Sequence, residues 1–429
     1  MTKRRKLLAS TLLIALAGGV MAGCSSSDST ATTKGAETEK ETEASKEPVT
    51  LQLFYNNFTK EEFQLLIADP VKAKYPHITV EMRTDGVAKA VTAKEPIDLM
   101  LYYIGDFGTY KDLDLLYDLS PLVKNNKFDL NRFDPGALKA ITDLSTKGEL
   151  YALPFHSQFN ALYYNKAIFN KFGVAYPPDG MMWEDAIELA KKLTRVDNGT
   201  QYYGLSTDVW TRLTVQRSVL PVDAKTMKAA VNSDPFRKAM EVAKQIYSIP
   251  GNEPIFSTDK FVKDQTVAMF ASVPGVVHTR ATQAGMDWDM AQFPSYKDRP
   301  NIFTQYDLHI MGISNTSKHK EDAMRVLELF FSDEIQKIST TKTGRVPPMS
   351  DPIYQKLYGS EDPALKGKRI ASVFKSKNST PNAVFSKYHS KSNSLLLPYF
   401  MEYVKGTKDI NTALREAEEA INKWIEANP

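Results

Sequence analysis

The sequence predicts an α/β protein with room for two domain-sized units. Strand-like and helix-like patterns alternate along the chain. One strand-like run is apolar almost throughout, as expected of a strand covered on both faces of a sheet. The 429 residues, 42% of them apolar and 24% charged, suffice for a large core without disulfides or metals.

The elements follow in order. Val49 to Tyr55 alternates apolar and polar residues, the period of a strand. Glu61 to Lys74 reads as a helix with Phe63, Leu66, Ile67 and Val71 on one face, interrupted or ended near Pro70. Ile78 to Met82 is a second strand, and Ile97 to Tyr103 (IDLMLYY) is the apolar run. Later come amphipathic helices at Trp183–Leu193, Phe236–Tyr247, Glu321–Phe331 and Ile410–Ile425. Their aromatic residues and methionines are read as core, Trp183 among them. Trp288 reads as packing at a strand edge. Turn clusters at Pro177–Gly180 and Val196–Gly199 punctuate the body, and there is no internal repeat.

The formal charge of +3 arises at the start of the chain. Four of the 54 basic residues are Lys3, Arg4, Arg5 and Lys6, and the remaining 50 nearly match the 51 acidic ones. A body this close to neutral has no general attraction for nucleic acid, and no basic stripe interleaves with aromatics. The lone cysteine, Cys24, allows neither an internal disulfide nor a thiolate metal site. The sequence therefore implies no cofactor and no structural metal. Val196-Asp197-Asn198-Gly199 and the residues after it have too few carboxylates for a calcium loop.

Residues 3–6 form a basic n-region and Leu7 to Val20 an apolar h-region too short to span a bilayer well. Met21-Ala22-Gly23-Cys24 follows and resembles the lipobox of bacterial lipoproteins, with Met in place of the usual Leu. That resemblance implies cleavage after residue 23 and a lipid on the Cys24 thiol. Residues 24–48 are rich in Ser, Thr, Glu and Lys. They bury too little apolar surface to offset ordering, so they are expected to form a disordered tether. A lipid and a tether hold a protein at a membrane face without spanning it.

Five stretches of the body, in order, resemble the family 1 extracellular solute-binding proteins, the group that includes maltose-binding protein. They are Pro96–Val123, Lys147–Val174 with its Leu-Tyr-Tyr-Asn-Lys run, Met181–Leu205, Asp264–Gly275 and Leu308–Gln336. The resemblance covers essentially all of residues 49–429. It implies the two-lobed periplasmic-binding-protein fold of class II type, with a ligand cleft between lobes joined by crossing hinge segments. The first lobe is expected at 49–157 and 306–348, the second at 158–305 and 349–429. It further implies a monomer that is not an enzyme and that passes a carbohydrate to the permease of an ABC importer. Closure would be a hinge motion in which the ligand shifts an open–closed population.

Neutral sugars bind through aromatic faces and through planar polar groups that donate and accept. Strand ends and crossings offer Asn57, Phe58, Tyr102, Tyr103, Asp106, His156, Gln158, Asp208, Trp210, Tyr306, Asp307 and Asn393, with His278 and Arg280 behind them. Tyr102 and Gln158 fall where maltose-binding protein places ligand contacts. Tyr102 and Tyr103 alternate on one strand, so one of them is expected to pack inward. Asp106 has a second reading as a helix cap. The positions matching two stacking tryptophans of maltose-binding protein fall near Gly275 and Asn393, and neither is aromatic. The resemblance therefore carries no maltodextrin specificity.

The same fold could take a peptide, a polyamine or a metal chelate, or serve a sensor kinase. A secreted glycan hydrolase is the enzymatic rival. The sequence has no H-E-x-x-H and no G-x-S-x-G, and Gly367-Lys368 lacks phosphate-loop spacing.

Overall fold

The computed structural model describes residues 47–55 and 58–428. Cys24, the leader, the tether up to residue 46 and Asn57 lie outside the described residues.

The strands, in chain order, are β1 (Val49–Phe54), β2 (Ile78–Arg83), β3 (Leu99–Tyr103), β4 (Leu153–Gln158), β5 (Ala161–Asn165), β6 (Arg195–Asp197) and β7 (Thr200–Thr207), then β8 (Val222–Asp223), β9 (Lys228–Ala229), β10 (Val267–Ser272), β11 (Trp288–Ala291), β12 (Ile302–Gln305), β13 (Asp307–Ile313) and β14 (Lys377–Ser379). Ten of them make two five-stranded sheets, ordered β2-β1-β3-β13-β4 and β11-β5-β10-β7-β6. In the first sheet β1, β2 and β3 run parallel, while β13 runs antiparallel to both β3 and β4. In the second sheet β7 and β10 are parallel and β5 is antiparallel to β10.

Each sheet has its own core. The first gathers Leu51, Leu53, Ile78, Leu99, Leu101, Leu308 and Ile310 with Met324, Leu327 and Phe330 of the helix Lys320–Phe330. The second gathers Leu162, Tyr163, Leu205 and Phe270 with the helices Trp183–Leu193, Asp234–Tyr247 and Ile410–Ala427. The chain passes from one sheet to the other between β4 and β5 and returns between β12 and β13. This is a two-lobed α/β architecture with crossing strands at its waist.

Two helical segments depart from expectation. Glu61–Lys74 runs on past Pro70, and the interruption expected near that residue falls just before it. A π-turn at Gln64–Ala68 separates Lys60–Phe63 from Asp69–Lys74, and Pro70 sits in the first turn of that last piece. His389–Lys405 is a long helix that periodicity did not reveal, because Pro398 lies inside it and its buried face includes Ser392.

Candidate functional site

The parallel strands of both sheets point their C-terminal ends at the waist, where ligands of open α/β sheets gather. Tyr55 follows β1, Tyr103 ends β3 and Asp208 follows β7. The two crossing strands β4 and β13 supply the floor, paired in the register Asp307↔Gln158 and His309↔His156.

Strand alternation builds a row of rings across three strands. Tyr103 is opposite His309, and His309 opposite His156, with ring centroids 6.0 and 5.8 Å apart. His309 Nδ1 lies 3.2 Å from the Tyr55 hydroxyl, and its Nε2 3.3 Å from the Gln158 amide nitrogen. An amide that donates to Nε2 assigns the ring proton to Nδ1. The Val346 backbone N–H donates to His156 Nδ1 at 3.0 Å. Burial pushes His309 down to about 4 and His156 well below its ordinary value, so both rings are neutral near pH 7.

Beside this row lies a charged cluster. Arg212 donates to Asp208 through Nε at 2.7 Å and through Nη2 at 2.6 Å. Both side chains are nearly buried, at 13% and 6% exposure. Arg212 begins the helix Arg212–Gln216, whose last residue, Gln216, fixes the helix to the second lobe. The Gln216 amide donates to the carbonyls of Pro294 and Ile302 and its Oε1 accepts from Trp183 Nε1. Asp307, 7% exposed, is the second carboxylate facing Arg212. Burial raises its pKa, opposed by the Arg212 charge and by the Tyr103 and Gln158 side chains. Burial also lifts the Tyr103 hydroxyl well above the usual tyrosine range, with Asp307 adding to the effect. Among the described residues no group hydrogen-bonds to Asp307 Oδ1.

The second half of the chain closes on the first across this cluster. Leu220 and Phe385 are buried in the first core, and Val215, Ala383 and Val384 pack against it. Phe385 meets Tyr103 edge-on at 5.7 Å. The stretch that carries Phe385 is itself held to the second crossing, where Gln305 Oε1 accepts from the Ala383 N–H and Asn382 Oδ1 from the Tyr306 N–H. Gly108 approaches so near that a Cβ there would fall 2.8 Å from Cα of Lys387.

Tyr102 points to the other face of β3. It stacks on Tyr110 at 4.0 Å and lines a cavity of about 110 Å³ with Tyr55, Arg83, Thr84, Tyr103, Asp106 and Tyr110, all first-lobe residues, so Tyr55 and Tyr103 border both the cavity and the waist. Its hydroxyl is buried, without a partner among the described residues, and burial raises its pKa. Arg83 at the cavity edge is held by Asp85 and Glu95 and lies over the Phe54 ring.

The expected site residues therefore separate. Tyr103, His156, Gln158, Asp208 and Asp307 converge at the waist. Tyr102 and Asp106 line the side cavity; Asp106 occupies a cap position but its side chain caps nothing there, and burial raises its pKa. Phe58 packs between Tyr55, Phe155 and Arg345 in the first core. Trp210 is buried against Phe400 and Phe236 in the second. The Tyr306 hydroxyl donates to Asp134 at 2.7 Å. Asn393 donates to His389, whose ring meets Phe385, so it reaches the waist only indirectly. His278 stacks on Trp288 and bonds Tyr163 inside the second core, and Arg280 pairs with Asp259 at the surface.

Sequence reasoning missed Arg212, His309 and Phe385. Arg212 stands one helical turn after Asp208 and His309 two strand positions after Asp307, so both had a signal in spacing. Phe385 sits in an irregular stretch and had none. No group of three or more metal-ligating side chains occurs among the described residues. No helix among them is long and apolar enough to cross a membrane.

Known proteins place this geometry in context. Residues 55–337 match the family profile described as bacterial extracellular solute-binding protein. A mannitol-binding protein of Pseudomonas aeruginosa is 40% identical over 62 residues, which is 14% of each chain. The chain thus spans a small part of that relative, and the match carries little of its activity. A substrate-binding protein of Listeria monocytogenes, solved in complex with cycloalternan, superposes with a TM-score of 0.70 at 18% identity, over 89% of this chain and 99% of that one. A sugar transporter protein of Rhizobium etli in an open conformation gives 0.68 at 21%, over 87% and 99%. The sugar-binding protein MalE of Xanthomonas citri gives 0.67 at 17%, over 89% and 100%. At these identities the likeness is one of fold.

Proposed function

We propose that this chain, which belongs to the bacterial extracellular solute-binding protein family, captures a carbohydrate between its lobes and delivers it to an ABC-type importer. The observation that carries the reading is the convergence of Tyr103, Gln158, Asp307 and the Asp208–Arg212 pair, drawn from both sheets, on one buried polar centre. Planar donors and acceptors beside aromatic faces suit the hydroxyls and the C–H face of a sugar ring. The sugar-bound relatives support the same class of ligand.

In this reading the lobes are 49–157 with 306–348 and 158–305 with 349–429. Closure around the ligand is the signal that a permease reads, and the protein is a monomer that binds without catalysis. The basic and apolar leader and Cys24 support a lipid anchor on the extracytoplasmic face. Tyr102, Asp106 and the side cavity serve an outer part of the ligand. Phe58, Trp210, Tyr306 and Asn393 serve as packing behind the contact surface.

A thermal-shift screen against mono- and oligosaccharides tests this. A ligand present at about 100 times its Kd stabilises by about 2.7 kcal/mol, a readily measured rise in Tm. A rise with peptides or polyamines and none with any glycan refutes the carbohydrate reading.

A further inference from the structure

The waist cluster carries an excess of negative charge. One cation, Arg212, faces two carboxylates, and its paired donors are already committed to Asp208. The remaining charged groups nearby do not redress this. Arg345 is matched by Glu62 at 3.1 Å, and the two histidines of the floor are neutral. Asp106, in the adjoining side cavity, adds another carboxylate whose charge acts on Tyr103. Within the centre, Asp307 is more than nine-tenths buried and keeps one oxygen, Oδ1, without a donor among the described residues. A buried carboxylate oxygen in that state demands a hydrogen-bond donor, and a charged donor answers it best. A second anion brought into the same low-dielectric space would be repelled.

We infer that the cleft sorts ligands by charge through Asp307, preferring saccharides that present an amine, accepting neutral ones less well, and excluding those that carry a carboxylate. The inference rests on the carbohydrate reading and names the class of sugar within it. Asp307 acts as a specificity determinant, with Oδ1 accepting from the ligand's ammonium. Arg212 holds Asp208 and keeps the cluster from carrying two uncompensated charges.

Calorimetric titration with glucosamine, glucose and glucuronate, and with their β-1,4-linked disaccharides, tests it. The amino sugars are expected to bind about tenfold more tightly than the neutral ones, and the uronates at least about tenfold more weakly. Asp307→Asn keeps the shape and removes the charge, so it should bring the amino sugars level with the neutral ones. Asp307→Glu keeps the charge and should retain the ranking, which separates the charge effect from any loss of folding. Uronates binding as tightly as neutral sugars, or a ranking that Asp307→Asn leaves intact, overturns the inference. So does silence from all three series alongside a hit in the wider glycan screen, and in that case the carbohydrate reading stands. Silence from every glycan in both experiments overturns both.

Discussion

Tyr102 and Tyr103 are neighbours in the chain and both line the first-lobe cavity, but of the two it is Tyr103 that also reaches the waist. Tyr103 faces the waist, where both lobes, both crossing strands and Arg212 meet. Tyr102 faces a cavity walled by the first lobe alone. A contact of the first kind exists only when the lobes come together, so it is coupled to closure. A contact of the second kind adds affinity equally to open and closed forms and shifts no population. In the proposed function, one step along a strand separates the group that reports a ligand from the one that merely holds it.

The largest test of this contrast compares the two arginines. Arg212→Met leaves Asp208 and Asp307 buried without a counter-charge and is expected to cost about 3–5 kcal/mol in urea unfolding. Arg83→Met at the side cavity removes two solvent-screened pairs and should leave the urea midpoint nearly unchanged. Equal losses at both sites would erase the distinction between the regions.

Acid titration comes next. Burial depresses the pKa of His309 from its ordinary 6.5 to about 4, and His156 shifts in the same direction. Their neutral burial contributes stability that is fully present above the unfolded pKa and is lost as pH falls from 6.5 toward 4. The loss should be on the order of 1–3 kcal/mol over that window, and His309→Gln should flatten it. Asp307 has the opposite sign. Its raised pKa contributes stability at low pH that is lost as pH rises through the folded value. Asp307→Asn should therefore gain on the wild type as pH rises above 4. A His309→Gln profile that overlays the wild type contradicts this assignment of the floor.

Gly108→Ala probes closure itself. The added methyl meets the Lys387 backbone, which cannot swing away as a side chain tip can. Binding of the best glycan should weaken about tenfold while the Tm of the free protein stays within about 2 °C. The smallest effects concern the two hydroxyls. Tyr103→Phe should cost about 1 kcal/mol of glycan affinity, and Tyr102→Phe should leave folding stability within about 0.5 kcal/mol, since its hydroxyl has no partner among the described residues. A larger affinity loss at Tyr102 than at Tyr103 would reverse the roles given to the two regions.

Much of the scaffold was legible because its signals are local. The alternation of Val49–Phe54, the apolar run ending at Tyr103 and the stripe of Trp183–Leu193 all reappear as the expected elements. Alternation also foretold that one of Tyr102 and Tyr103 would pack inward, and Tyr102 does, though which one reaches the waist depends on β13 pairing beside β3, more than two hundred residues later. Trp210 read as a loop aromatic because its packing partners, Phe236 and Phe400, lie far along the chain. The pairing of His309 with His156 and the arrival of Phe385 at Tyr103 are likewise products of topology, and no window of sequence contains them.

The most direct measurement is hydrogen–deuterium exchange of the protein with and without the glycan that gives the largest thermal shift. Capture between the lobes should slow exchange together in residues 153–165, 208–216, 305–309 and 383–389, from both sides of the waist. Protection confined to the first-lobe cavity, or spread over the outer faces with the waist unchanged, would contradict it.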